Sequence, residues 1–310
     1  MFGHVRQKLA SGGIVLLDGG TGTEIERRGA PMSEESWCAP ATLTHGHIVA
    51  GVHRDYIAAG AEVITANTYG SSPFVLDHHG KIDELEAIDA RAVEIAREAA
   101  ETADRPVAVA GSFSVMRPNI AGTDRTRTDI VWSEDRARAL LRRKADALAD
   151  AGVDLIMLEM LRDPDISVWA TEAAASTGLP VWAGISAERD HAGRLTAYSR
   201  PEFLFEAIVA PIMAAGASVC SVMHTSVNDT GAAIDIVRRH WHGPVGAYPE
   251  SGYFKMPSWQ FVDIIAPDDL VAAAREWVAR GARLLGGCCG TGPEHIRAIA
   301  EAFGGWRATT

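Results

Sequence analysis

The sequence is poor in the features that mark whole classes of protein. Four cysteines in 310 residues are too few for a secreted disulfide framework. The adjacent pair Cys288-Cys289 is a poor candidate for bridging to itself, so the thiols are expected to be reduced. Lysine and arginine number 29 against 40 aspartates and glutamates, and the net charge of −11 argues against nucleic acid and anionic membrane surfaces, which select basic clusters. Long hydrophobic runs are missing too: no segment reaches the ~18 uncharged apolar residues of a membrane span, and the opening MFGHVRQKLASGG carries no apolar signal core. These absences predict a cytoplasmic protein acting on small molecules, with no nucleic-acid or membrane partner.

What is present is a chain 47% hydrophobic and 22% charged, of the size of one α/β barrel, so a single domain over residues 1–310 is expected. Short apolar runs recur along it: IVLLDGG (14–20), VITANTY (63–69), VAVAGSF (107–113), LIMLEML (155–161), PVWAGIS (180–186), SVCSVMH (218–224), PVGAYPE (244–250) and LLGGCCG (284–290). Each is too brief for a helix, and near-continuous hydrophobicity is the pattern of strands buried on both faces. Between them lie helical segments such as residues 133–151 and 268–280. Four helices enter the next strand through a shared phrase, AAGAEV, DAGVDL, AAGASV and ARGARL, with glycine where a helix C-cap needs a left-handed residue. Eight strands with none left over, and no GxGxxG after the first, predict a (β/α)8 TIM barrel rather than a doubly wound open sheet.

A barrel builds its site at the C-terminal ends of its strands. The first strand ends in Asp18-Gly19-Gly20-Thr21-Gly22-Thr23-Glu24, where glycines let backbone amides approach a ligand; the plainer reading is a capped tight turn. No Gly-Lys-Ser/Thr follows, which argues against a phosphate loop. Glu159 interrupts an apolar run and needs a partner, either a basic side chain such as Arg162 or a ligand amine. Near the end, Cys288 and Cys289 are flanked by glycines that offer nothing to pack against. They can reach one metal only if the strand has ended and the backbone turns there. Reduced thiolates point to zinc, and the sixth strand offers Cys220 or His224 as a third ligand. Four residues apart on one face, these lie ~13 Å from each other and cannot both bind. His224, at the strand's C-terminal end, is preferred.

The segments LLDGGTGTEIERRG, HRDYIAAGAEVITANTYGSS, DLIMLEM, YPESG and GGCCGTGPEHI, in this order, resemble the homocysteine S-methyltransferase family over nearly the whole chain. The resemblance implies a zinc-dependent barrel moving a methyl group from a sulfonium, a quaternary amine or a folate to the sulfur of homocysteine. It implies that Cys288 and Cys289 are metal ligands and that Asp18 and Glu159 hold the amino-acid acceptor, with amides of Gly19, Gly20 and Thr21 suiting its carboxylate. The family's third ligand is a cysteine where this chain has His224. Other departures are Ser112-Phe113-Ser114-Val115, Met160 and Glu250, which stand where the family carries a Ser-x-Gly-Pro-like turn, threonine and asparagine. With 310 residues and no visible cobalamin- or folate-binding extension, the small S-methylmethionine-type members are the nearest match.

In this reading His224, Cys288 and Cys289 form the catalytic metal set, which activates a thiol whose free pKa lies near 8.5. Replacing one thiolate by imidazole makes the centre less negative and its sulfur less nucleophilic. Trp37, Tyr69, Tyr248 and Trp259 are candidates for holding a cationic methyl donor by cation–π attraction. The rivals are a zinc hydrolase, against which the absence of a His-x-His pair after the first strand counts, and a ligand-binding relative without turnover.

Overall fold

The computed structural model describes residues 2–123, 126–127, 129–256 and 259–304. Its inner ring consists of parallel strands β1 (Val15–Leu16), β2 (Val63–Ala66), β3 (Ala108–Ser114), β4 (Leu155–Leu161), β5 (Val181–Ile185), β6 (Val219–Ser226), β7 (Val245–Glu250) and β8 (Ala282–Leu285). β1 pairs with β8, and pairing continues strand by strand back to β2. A parallel bridge between Leu17 and Val63 joins β2 to the end of β1, where the Asp18 amide donates to the Val63 carbonyl at 3.1 Å. The ring is therefore closed, and the fold is the expected (β/α)8 barrel.

Alternation along each strand explains why both faces had to be apolar. Val15, Leu17, Val63, Leu155, Met157, Val219 and Leu284 fill the barrel interior. Their neighbours Leu16, Ile64, Ile156, Leu158, Cys220 and Val222 face the surrounding helices. The helix Gly3–Ala10 covers the end where the strands begin: Val5 joins the interior cluster, and Lys8 pairs at 2.7 Å with Glu62, which precedes β2.

The helix Glu134–Asp150 illustrates the outer layer. Ser133 caps it by accepting the Arg136 amide at 3.3 Å, and Glu134 and Asp135 complement the positive end of its dipole. Its inward face carries Ala137, Leu140, Leu141, Lys144, Ala145 and Leu148 at helical spacing. It ends at Gly152, which has φ +84°; the glycines of the other three shared phrases, Gly60, Gly216 and Gly281, also have positive φ. Lys144 and Asp89 are both fully buried and pair at 2.7 Å. Lys144 also donates to the Thr68 and Ser71 carbonyls, which fixes the loop carrying Tyr69.

One expectation fails, because strands are left over. A three-stranded antiparallel sheet (Ala187–Arg189, Leu195–Ala197, Arg200–Leu204) follows β5, and a hairpin (Tyr253–Lys255, Gln260–Val262) follows β7. These pieces are short and partly polar, so they leave no hydrophobic run to read. The first turn is set by Asp190, whose carboxylate accepts the Ala192 and Arg194 amides at 2.9 and 2.8 Å. Both excursions rise from the C-terminal ends of barrel strands.

Candidate metal centre and active site

Asp18 lies two residues past β1, is 3% exposed, and accepts the Thr65 amide at 2.6 Å and the Thr65 hydroxyl at 2.9 Å. Glu159 continues the inward register of Leu155 and Met157 and accepts the hydroxyl of Ser112 from β3. Its partner is therefore not Arg162, which donates to Thr126 at 2.6 Å instead. Burial raises the Asp18 carboxyl from 3.8 to about 7, against the opposing bonds from Thr65. Burial likewise raises Glu159 from 4.5 to about 7; Ser112 and His224 oppose this and the Asp18 charge adds to it. Neither carboxylate has an ion pair among the described residues. Two such groups at one mouth have the chemistry to compensate a cationic group.

The chain after β8 crosses between β1 and β7. Gly287 donates to the Asp18 carbonyl at 3.1 Å and Cys288 to the Pro249 carbonyl at 2.9 Å, while Ser251 donates to Cys289 at 3.0 Å. This turn sets the two cysteines side by side, as the adjacent pair required. A Cβ on Gly20 would lie 2.6 Å from the Cys288 carbonyl oxygen, so the two glycine-rich loops meet backbone to backbone. The Gly20 amide donates to the Thr291 carbonyl at 2.9 Å, and is thus occupied rather than offered to a ligand. Gly19, Gly20 and Thr21 nevertheless line the cavity, and the Thr21 hydroxyl is buried without a partner.

His224, Cys288 and Cys289 each bring a ligand atom within 4.8 Å of the others. His224 Nδ1 lies 3.5 Å from the Cys288 sulfur, and Nε2 lies 3.0 Å from Glu250 Oε2. Cys220 is fully buried in the layer facing the helices and is not part of this group. The shared face expected for Cys220 and His224 does not exist, because His224 has φ +43°: the left-handed backbone breaks the pleat and turns the ring inward. Burial disfavours the imidazolium, but Glu250 and Cys288 outweigh it and raise the His224 pKa to about 9. The neighbouring Cys289 sulfur, followed by burial, holds the Cys288 thiol well above its usual range. Two sulfurs and one imidazole, closely grouped and mostly shielded, suit a soft divalent cation that would displace these protons.

A cavity of about 710 Å³ opens over these groups. One wall is aromatic: Trp37 lies 5.8 Å from Tyr69, 5.9 Å from Phe254 and 6.5 Å from Trp259, ring centre to ring centre. The indole nitrogens of Trp37 and Trp259 and the Tyr248 hydroxyl are buried without partners. Five non-glycine residues lining the cavity, Trp37, Met160, Ser199, His224 and Trp259, have positive φ. Such strain gathers at functional sites.

A sequence model of the homocysteine S-methyltransferase family matches residues 15–303. The chain belongs to that family. It is 30% identical to homocysteine S-methyltransferase 4 of Zea mays, over 97% of this chain and 91% of the relative. Identity to the homocysteine S-methyltransferase of Escherichia coli is also 30%, over 92% and 94% of the two chains. A selenocysteine Se-methyltransferase of Brassica oleracea var. italica is 28% identical over 93% and 88%. In fold, the chain is similar to the metallated form of the Escherichia coli homocysteine methyltransferase MmuM, with a TM-score of 0.77 at 24% identity, covering 97% of this chain and 99% of that one.

Several contacts of the site were not apparent from the sequence. Glu250 was visible only as a departure from asparagine; the structure makes it the partner of His224. Thr65 and Ser112 gave no signal as carboxylate partners. Tyr198, whose ring centre lies 4.9 Å from that of His224, sits beside the antiparallel sheet that went unread.

Proposed function

We propose that this family member is a zinc-dependent S-methyltransferase that moves a methyl group from a sulfonium or quaternary-amine donor to the sulfur of homocysteine or a related amino-acid thiol, in the cytoplasm. The observation that carries this reading is the meeting of a sulfur-rich cluster with two shielded carboxylates that have no ion pair among the described residues, all in one cavity. Bound zinc would supply the chemistry of holding a thiol deprotonated at neutral pH.

The chain's own residues do the rest. Asp18 and Glu159 receive the acceptor's ammonium, which compensates the charge that burial makes costly in the free protein. Trp37, Tyr69 and Trp259 line the cavity with aromatic rings suited to a methyl-bearing cation, and its 710 Å³ accommodates two small substrates together. Alignment of the two reacting groups in this enclosed mouth supplies much of the rate, since attack on a methyl carbon needs little acid–base help. His224 makes the ligand set less negative than three cysteines would, and the carboxylate of Glu250 on Nε2 returns negative charge one shell further out. Amino-acid thiols and selenols are the acceptors named for the relatives above.

The test is a matrix of purified protein with zinc content measured, several sulfonium and quaternary-amine donors, and homocysteine, cysteine and selenocysteine as acceptors, read by mass spectrometry. Methyl transfer to at least one amino-acid thiol or selenol is expected. Zinc without any transfer would instead indicate a binding relative, and water as the acceptor a hydrolase.

A further inference from the structure

Arg162 follows directly on β4, is 5% exposed, and lines the cavity. A guanidinium has five donors and carries its charge at any physiological pH. Here one donor reaches the Thr126 hydroxyl at 2.6 Å, and no carboxylate of the described residues pairs with the group. The obvious partners are engaged elsewhere: Glu159 accepts from Ser112, and Asp163 is shared by Arg117, at 3.8 Å, and Arg200. Glu188 lines the same cavity yet forms no ion pair with Arg162. Arg117 and Arg200 thus share one aspartate, while Arg162, which faces the cavity, has no ion pair among the described residues and feels Glu188 only at longer range.

A buried cation without a close ion pair is costly, and burial does push the Arg162 pKa down. The group also lies within electrostatic reach of His224 and Tyr69, so it belongs to the same mouth as the metal set. A planar fork in a shielded site matches a carboxylate in two parallel hydrogen bonds.

We propose that Arg162 is the anchor for a substrate carboxylate, so that the cavity holds a zwitterion between Arg162 and the ammonium- or methyl-bearing end nearer the metal set. The proposal rests on the methyltransferase reading for the identity of the ligands. The carboxylate could belong to the amino-acid acceptor or to the methyl donor, and the two sources separate experimentally.

The experiment is calorimetric binding to the zinc-loaded protein, with two ligand pairs that differ only in the carboxylate. Homocysteine is compared with 3-aminopropanethiol for the acceptor, and S-methylmethionine with its decarboxylated sulfonium for the donor. In the wild type, one pair should favour the carboxylate form by roughly 10- to 100-fold, as a charge-assisted bidentate contact gives. Arg162→Met should erase that preference while leaving the carboxylate-free ligand's affinity and the zinc content unchanged. Arg162→Lys, which keeps the charge without the fork, should retain part of it and serves if the methionine variant does not fold. The pair that responds identifies the source. A preference that survives Arg162→Met, or is undiminished in Arg162→Lys, or is absent from both wild-type pairs, overturns the proposal. Because binding is read without turnover, loss of the anchor and failure of the methyl-transfer reading are distinguishable.

Discussion

Replacing Asp18 by asparagine should stabilise the metal-free protein at alkaline pH while weakening its hold on an amino-acid thiol. The folded-state pKa of Asp18 is about 7 against a usual 3.8, a rise of about three pH units. At 1.36 kcal/mol per unit, ionising this group in the fold costs about 4 kcal/mol as an upper bound. The sign follows from proton linkage: the folded state holds the proton more tightly, so the relative stability is fully present below pH 3.8 and is lost as pH rises through about 7. Asparagine keeps an acceptor for the Thr65 amide and never ionises. With water entering at the cavity mouth, a net gain of about 2 kcal/mol at pH 8 is the working value, or roughly 3 °C in Tm for a chain of this size. The gain should shrink towards pH 5. Thermal unfolding followed by circular dichroism at both pH values measures it, and calorimetry should find at least ~10-fold weaker binding of homocysteine with zinc content intact. A variant less stable than the wild type at pH 8, or one that binds the acceptor equally well, would refute the reasoning.

Cys288→Ala and Cys289→Ala should each release zinc and abolish transfer, whereas Cys220→Ala should do neither; elemental analysis with full zinc in either of the first two, or loss in the third, contradicts the ligand assignment. His224→Ala should weaken zinc binding, and His224→Cys should retain it. Glu250→Gln should lower zinc affinity by about 10- to 100-fold through the loss of an orienting carboxylate, and an unchanged affinity in a chelator competition would remove Glu250 from the centre. Lys144→Met should destabilise the fold by about 3–5 kcal/mol, because it strands Asp89 uncompensated in the interior; urea unfolding within about 1 kcal/mol of wild type would show that Asp89 simply takes up a proton at little cost.

The barrel was legible because its physics is local and repeated. A strand buried on both faces must be apolar throughout, and a helix turning sharply into a strand needs glycine at its end, so runs and glycines marked the ring. The site was legible where a residue contradicted its surroundings. Asp18 and Glu159 interrupt apolar runs, and Cys288-Cys289 sit among glycines. What escaped depends on contacts between distant segments. The Ser112–Glu159 bond joins β3 to β4, the Thr65–Asp18 bonds join β2 to β1, and the His224–Glu250 contact joins β6 to β7. The hairpin bearing Phe254 and Phe261 and the sheet beside Tyr198 are too short for periodicity to register. Period-two reasoning also misplaced His224 relative to Cys220, because a single left-handed residue at the strand's end reverses the direction in which a side chain points.

That reversal bears on why histidine and glutamate occur together here. A left-handed conformation costs a non-glycine residue roughly 1–2 kcal/mol, and His224 adopts it only because the surrounding structure overdetermines it. Turned inward, the ring presents Nδ1 towards Cys288 and must dispose of the proton on Nε2. Glu250 follows the inward register of Tyr248 on the neighbouring strand, and its carboxylate stands 3.0 Å from that nitrogen. Histidine without the carboxylate has no fixed tautomer, and the carboxylate gains a strong donor in the imidazole N–H. Together they turn one imidazole nitrogen towards the two sulfurs and hold the other on a carboxylate, the arrangement that suits the imidazole to the proposed ligand set.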